Sequence, residues 1–190
     1  MNFEQALKDP IFKIISKSAD ELGVDCYVVG GFVRDHLLKR KAGQDIDIVV
    51  VGSGIELAQQ VGKNLSNQPK VSVYKTYGTA MIRYEDIELE FVGARKESYT
   101  KESRNPEVEI GSLKDDQKRR DFTINALAIG LSASNFGRLL DPFDGVKDLE
   151  NKRIVTPLDP NITFSDDPLR MLRAIRFATQ LEFEIDSKSL

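Results

Sequence analysis

Apolar residues recur along this chain with two periods, and the switches between them mark the elements. Ile11, Ile15 and Leu22 fall at helical spacing behind Asp9–Pro10, a cap and first-turn pair, and predict a helix to about Leu22. "CYVV" then reads as a strand, and "GFVRDHLLKR" as a helix opened by Gly30 and Gly31. "DIDIVVV" is the next strand, and "SGIELAQQVGKNL" an amphipathic helix capped by Ser53. Three strands follow, "KVSVY", "TAMIRY" and "IELEFV", the first two split by turn residues around Gly78. From Lys96 to Lys118 the chain is strongly polar and is expected to be a loop until a short helix near Ser112. "RRDFTINALAIGL" returns to apolar material, and "DPFDGVKDLENKRIVTP" reads as a loop, one helical turn and a short strand. The last clear helix lies in "FSDDPLRMLRAIRFATQLEF", with Ser165 expected as its cap. Leu169, Leu172, Ile175 and Ala178 form its apolar stripe, beside a polar stripe of Asp167, Arg170, Arg173 and Arg176. Asp186 and Ser187 read as the cap of one more helix, so the chain is expected to be a fragment of a longer protein.

Composition narrows the classes. At 190 residues, 41% hydrophobic and 30% charged, the chain can close a sizeable core. Its apolar runs are far too short to span a membrane, and "MNFEQALKDP" lacks the apolar region of a signal peptide. Cys26 is the single cysteine, which suits a reducing cytosol, and lone His36 offers no zinc site. A net charge of −3 argues against an extended RNA grip, so any such contact is local or belongs to further sequence.

Four constellations carry candidate chemistry. Asp45 and Asp47 stand two apart at the head of a strand whose next four residues are Ile48–Val51, so their side chains leave one face. Such a pair can share Mg²⁺ ions, or it can be a solvated strand end. "VVGGFVRD" places Gly30 and Gly31 where a strand turns into a helix, a turn that lets backbone approach an anion, with Arg34 one turn further on. In "RRDFTINALA", Asp121 reads as a helix cap, and Arg120 as either a solvated arginine or a group reaching ribose or phosphate. Finally, "RMLRAIRFA" gives its arginines no acidic partner at helical i+4 spacing, so their partners lie elsewhere.

Taken in order, "GGFVRD", "DID", "RRDFTINALA", "DPFDGVKDLENKRI" and "DDPLRMLRAIRFA" resemble the class II CCA-adding tRNA nucleotidyltransferases and bacterial poly(A) polymerases, within the polymerase-beta-like superfamily. The resemblance runs from Tyr27 to Phe183. It implies an α+β fold, a small mixed or antiparallel sheet flanked by helices, with a catalytic head over residues 1–156 and a partial helical neck over 157–190. It also implies Mg²⁺ on Asp45 and Asp47, with Glu90 as a third catalytic carboxylate on a neighbouring strand. Gly30, Gly31, Arg34 and Arg120 would meet the nucleotide; Asp167 and Arg170 would read its base, and Arg173 and Arg176 would add further contacts. Where the family's motif has glutamate, this chain has Asp166. The implied activity is transfer of CMP or AMP from CTP or ATP to the 3′-OH of tRNA in the cytoplasm. Poly(A) addition, CC-only or A-only addition, and a non-catalytic nucleotide-binding module are the alternatives. The polar stretch from Lys96 to Lys118 matches the family's flexible loop, which is associated with the A-adding step.

Overall fold

The computed structural model describes residues 3–41, 43–100 and 103–189. In chain order the helices and strands are α1 (Pro10–Leu22), β1 (Cys26–Val29), α2 (Gly31–Leu37), β2 (Asp45–Val50), α3 (Gly54–Asn64), β3 (Val71–Tyr74), β4 (Thr79–Tyr84) and β5 (Ile87–Gly93). There follow β6 (Arg95–Thr100), β7 (Ser103–Ile110), α4 (Leu113–Lys118), β8 (Ala128–Gly130), β9 (Leu139–Leu140), α5 (Gly145–Glu150), β10 (Arg153–Ile154), α6 (Pro160–Asp166), α7 (Leu169–Leu181) and β11 (Glu184–Ile185). They divide into two compact units, one of Met1–Ala94 with Ala128–Leu140, the other of Arg95–Leu127 with Asp141–Leu190.

The first unit holds a mixed sheet in the order β3-β4-β5-β2-β1-β8-β9. Only β2 and β5 run parallel; the other neighbours are antiparallel. Ile46, Ile48, Ala80, Ile82, Leu89 and Phe91 are buried on one face. α3 lies against that face so closely that a Cβ at Gly54 would stand 2.9 Å from the Phe91 backbone. Alternation then assigns Asp45, Asp47, Met81, Arg83, Glu88 and Glu90 to the opposite face. α1 begins on Asp9, whose Oδ1 accepts from Ile11 N at 2.9 Å, and ends on Gly23 at φ 65°, where only glycine is unstrained.

In the second unit the chain departs from its pattern at several places. The polar stretch is not a loop: β6 and β7 pair antiparallel from Arg95↔Ile110 to Thr100↔Ser103, with one irregularity in register. A ribbon closed by backbone hydrogen bonds needs no apolar alternation, so periodicity does not announce it. Nor does Ser165 cap the last helix; it lies inside α6, which Asp159 caps with Pro160 at its first position. Pro168 forces Asp167 into extended backbone (φ −147°, ψ 102°), and that break separates α6 from α7. The apolar stripe is also reversed. Leu169, Leu172 and Ile175 are exposed, while Arg170, Ala174, Phe177 and Leu181 are the buried line of α7. Phe177 meets Phe122 edge-on with centroids 5.9 Å apart, which anchors that line.

Candidate active site

β2 lies between β5 and β1, so a side chain on it is held from both sides. Asp45 is exposed at its head and Asp47 half-buried two residues on. The parallel register sets Glu88 beside Asp45 and Glu90 beside Asp47. Like charges that face each other across a ladder are unfavourable, and a cation beside them is favoured. Arg83 offsets one of them, its Nε donating to Glu88 Oε1 at 2.7 Å. Oxygen-only donors of this kind suit a hard divalent cation such as Mg²⁺. Among the described residues no group of three or more His, Cys, Asp or Glu is gathered closely enough to hold a metal ion. The fit to a cation accordingly rests on the Asp45–Asp47 pair, with Glu90 neighbouring through the register.

Gly30 sits at φ 70°, ψ −129°, a conformation that essentially only glycine adopts, and turns β1 into α2. Gly31 is different: a Cβ there would meet only Arg34 Nη2, at 3.7 Å, so internal packing does not demand glycine. The space left open is where a ligand could approach the backbone. Arg34 is buried and bidentate on Asp35, Nε to Oδ1 at 2.9 Å and Nη2 to Oδ2 at 3.1 Å. A phosphate would share this guanidinium with Asp35. α2 stops at Leu37, short of the ten residues its pattern predicts, because Lys39 turns to φ 54°.

The second unit gathers a separate network. Asp116 on α4 is fully buried and receives both neighbouring arginines. Arg119 Nε donates to its Oδ1 at 3.0 Å, and Arg120 donates Nε and Nη2 to its Oδ2, each at 3.1 Å. Arg120 Nη1 continues to the Asn125 carbonyl at 3.2 Å. Asp121 does not cap an α-helix; it opens a single 3₁₀ turn, Thr123–Asn125, by accepting from Phe122 N at 2.8 Å and Asn125 Nδ2 at 3.1 Å. Its other oxygen accepts from Arg173 Nε at 2.7 Å. One of the stripe's arginines thus finds its acid 52 residues away, while Arg176 lies 4.9 Å from the Phe177 ring centroid.

Asp167 and Arg170 are three residues apart, but Asp167 stands in the break before α7. Its Oδ1 accepts from Leu169 N at 3.1 Å, and Arg170 donates Nη1 to the Thr163 carbonyl at 3.3 Å. Asp45, Asp47, Glu90, Gly30, Gly31 and Arg34 belong to the first unit; Arg120, Asp167, Arg170, Arg173 and Arg176 belong to the second. Sequence reasoning missed Asp116 and Asn125. Acid at i with arginine at i+3 and i+4 was the available signal for Asp116.

A sheet of this order, with paired carboxylates on its central strand behind a Gly-Gly turn, is that of a nucleotidyltransferase. Residues 26–155 match the Poly A polymerase head domain, and the chain belongs to that family. It is 43% identical over 159 residues to the A-adding tRNA nucleotidyltransferase of Aquifex aeolicus, covering 84% of this chain and 19% of that one. A CCA-adding enzyme in its apo form II superposes with a TM-score of 0.89 at 37% identity, over 100% of this chain and 45% of that one. A tRNA nucleotidyltransferase solved with a primer tRNA and an incoming ATP analog gives 0.80 at 39% identity, over 92% and 47%. The chain spans less than half the length of each of these proteins.

Proposed function

We propose that this chain is the head, with the start of the neck, of an enzyme that transfers CMP or AMP from CTP or ATP to the 3′-OH of tRNA and releases pyrophosphate in the cytoplasm. The observation that carries the reading is the Asp45–Asp47 pair on a central strand with Glu90 beside Asp47, in a chain whose relatives add nucleotides to tRNA. Residues 1–156 form the head and 157–190 enter the neck. The exposed Leu169, Leu172 and Ile175 suit a neck helix that packs against further neck helices. Among the described residues no helix is long and apolar enough to cross a membrane.

Each side chain has a task in this scheme. Asp45 and Asp47 would hold divalent cations, Mg²⁺ by the chemistry of their oxygens, and Glu90 is a catalytic carboxylate beside that pair and not one of its metal ligands. A divalent cation held there would neutralise triphosphate charge and lower the pKa of the attacking hydroxyl. Gly30 and Gly31 admit the phosphates to the backbone, and Arg34 and Arg120 hold phosphate or ribose. Asp167 and Arg170 read the base. Cytosine and adenine each present an amino donor beside a ring-nitrogen acceptor, whereas uracil and guanine present the reverse. A carboxylate only accepts and a guanidinium only donates, so the pair fits the first two bases and leaves unpaired groups with the others. Each such group costs about 1–3 kcal/mol. Arg173 and Arg176 complete the nucleotide contacts.

The 43% identical relative is A-adding, which makes A-only addition the reading to set against full CCA addition. Full-length protein given labelled ATP or CTP and tRNAs ending before C, CC or CCA separates them, and elongation beyond CCA would mark a poly(A) polymerase. In the same assay Asp167→Ala is expected to admit UTP and GTP while retaining much of its affinity for triphosphate. Equal loss with all four nucleotides would make Asp167 structural.

A further inference from the structure

The sheet face that bears Asp45 and Asp47 carries more than carboxylates, and although Val49 and Thr79 on it are buried, its β3 edge is exposed at Tyr74. Pairing register lines up Ser72, Met81, Glu90 and Asp47 in one row, and Tyr74, Thr79, Val92 and Val49 in the next. Tyr74 therefore shares a face with Asp47 and sits on β3, the edge strand. It is 47% exposed. Tyr77, which closes the 3₁₀ turn Lys75–Tyr77 before β4, is 72% exposed. Lys70, just before β3, and Lys75, between the two tyrosines in the chain, are also exposed. Gly78, at φ 65°, supplies the backbone freedom this turn needs, so the turn does not call for a tyrosine. Among the described residues, the other large apolar side chains exposed in this unit, Leu22 and Val51, are aliphatic.

We propose that Tyr74 and Tyr77, with Lys70 and Lys75, form a stacking subsite for the unpaired 3′ end of the acceptor RNA. The inference rests on the reading of the chain as an RNA nucleotidyltransferase and adds a place where the primer is held. Aromatic faces stack on any base, and neighbouring lysines meet the phosphates, which gives grip without sequence demand. The charge is complementary to RNA at this edge, although the chain as a whole is acidic. β3 lies three strand spacings from β2, about 14 Å, or about four nucleotides at the rise of a stacked strand. The subsite thus grips the primer upstream of its reacting hydroxyl.

The test uses full-length protein, a tRNA primer and ATP, and compares the double variants Tyr74→Ala/Tyr77→Ala and Tyr74→Phe/Tyr77→Phe with wild type. The alanine pair is expected to raise the primer KM about tenfold, within the range of a lost base–aromatic stack, and to move the ATP KM far less. The phenylalanine pair keeps the ring faces and is expected to stay close to wild type. An unchanged primer KM in the alanine pair would overturn the subsite, as would an equal loss in the phenylalanine pair, which would assign the effect to the hydroxyls. A change in self-association with primer KM unchanged would also overturn it, by making this edge an interface between copies. Wild type that transfers no nucleotide would contradict the proposed activity instead. Fluorescence anisotropy of labelled primer would then still read the subsite, through the same loss in the alanine pair.

Discussion

Cys26 shows how a single residue's place decides its chemistry. It begins β1, fully buried, and burial pushes its thiol up to about 12, with the nearby Asp25 and Asp20 charges adding to the effect. The thiolate is the nucleophile, so at pH 8 this sulfur is inert. Iodoacetamide is expected to leave the folded protein unlabelled while modifying the same residue quickly in denaturant; equal rates in both states would contradict the burial. That Cys26 is a small core residue could be read from "CYVV", a run without polar interruption. Arg170 could not be read in the same way. An arginine repeating every third residue looks like a solvated face, yet this one is buried and donates to the Thr163 carbonyl of α6, an element the pattern did not reveal.

Among the elements, α4 and the turn after it depend most on one charge. Ser112 and Asp115 close a capping box at its start, and Asp116 one residue later holds Arg119 and Arg120. Removing one partner of a buried ion pair leaves the others uncompensated, at a cost of about 3–5 kcal/mol. Asp116→Ala is expected to lower the urea midpoint by that much stability, and a loss under about 1 kcal/mol would show that the arginines find water instead. The elements legible in the sequence were those with a local device or an apolar side. Asp9–Pro10 announced α1, and the β-branched run announced β2. Asp159–Pro160 is the same device as Asp9–Pro10 and marks α6, but the seven residues of that helix are too few to show an apolar stripe. β6 and β7 carried too little of either signal: only residues 107–110 alternate polar and apolar, a run too short to announce a ribbon.

At the scale of the whole molecule, the candidate groups fall into two sets with different physics. The first unit offers strand-borne carboxylates and a glycine turn, suited to metal and phosphate. The second offers arginines held by Asp116 and Asp121, with Asp167 and Arg170 at a helix break, suited to a nucleobase. The sequence carried both sets as short ordered motifs, since each motif supplies its own local geometry. It did not carry the pairing of Arg173 with Asp121, which only the fold brings together across 52 residues. The central claim is that Asp45 and Asp47 serve chemistry and not stability. Asp45 is exposed and Asp47 half-buried at the head of β2, outside the buried set, so removing a carboxylate there should leave the fold intact. The most direct measurement is the single-turnover rate of AMP transfer to a tRNA primer by full-length Asp47→Ala, taken beside its thermal midpoint. A rate at least about a thousandfold below wild type is expected, with the thermal midpoint close to wild type. Transfer at near wild-type rate by Asp47→Ala, and likewise by Asp45→Ala, would contradict it.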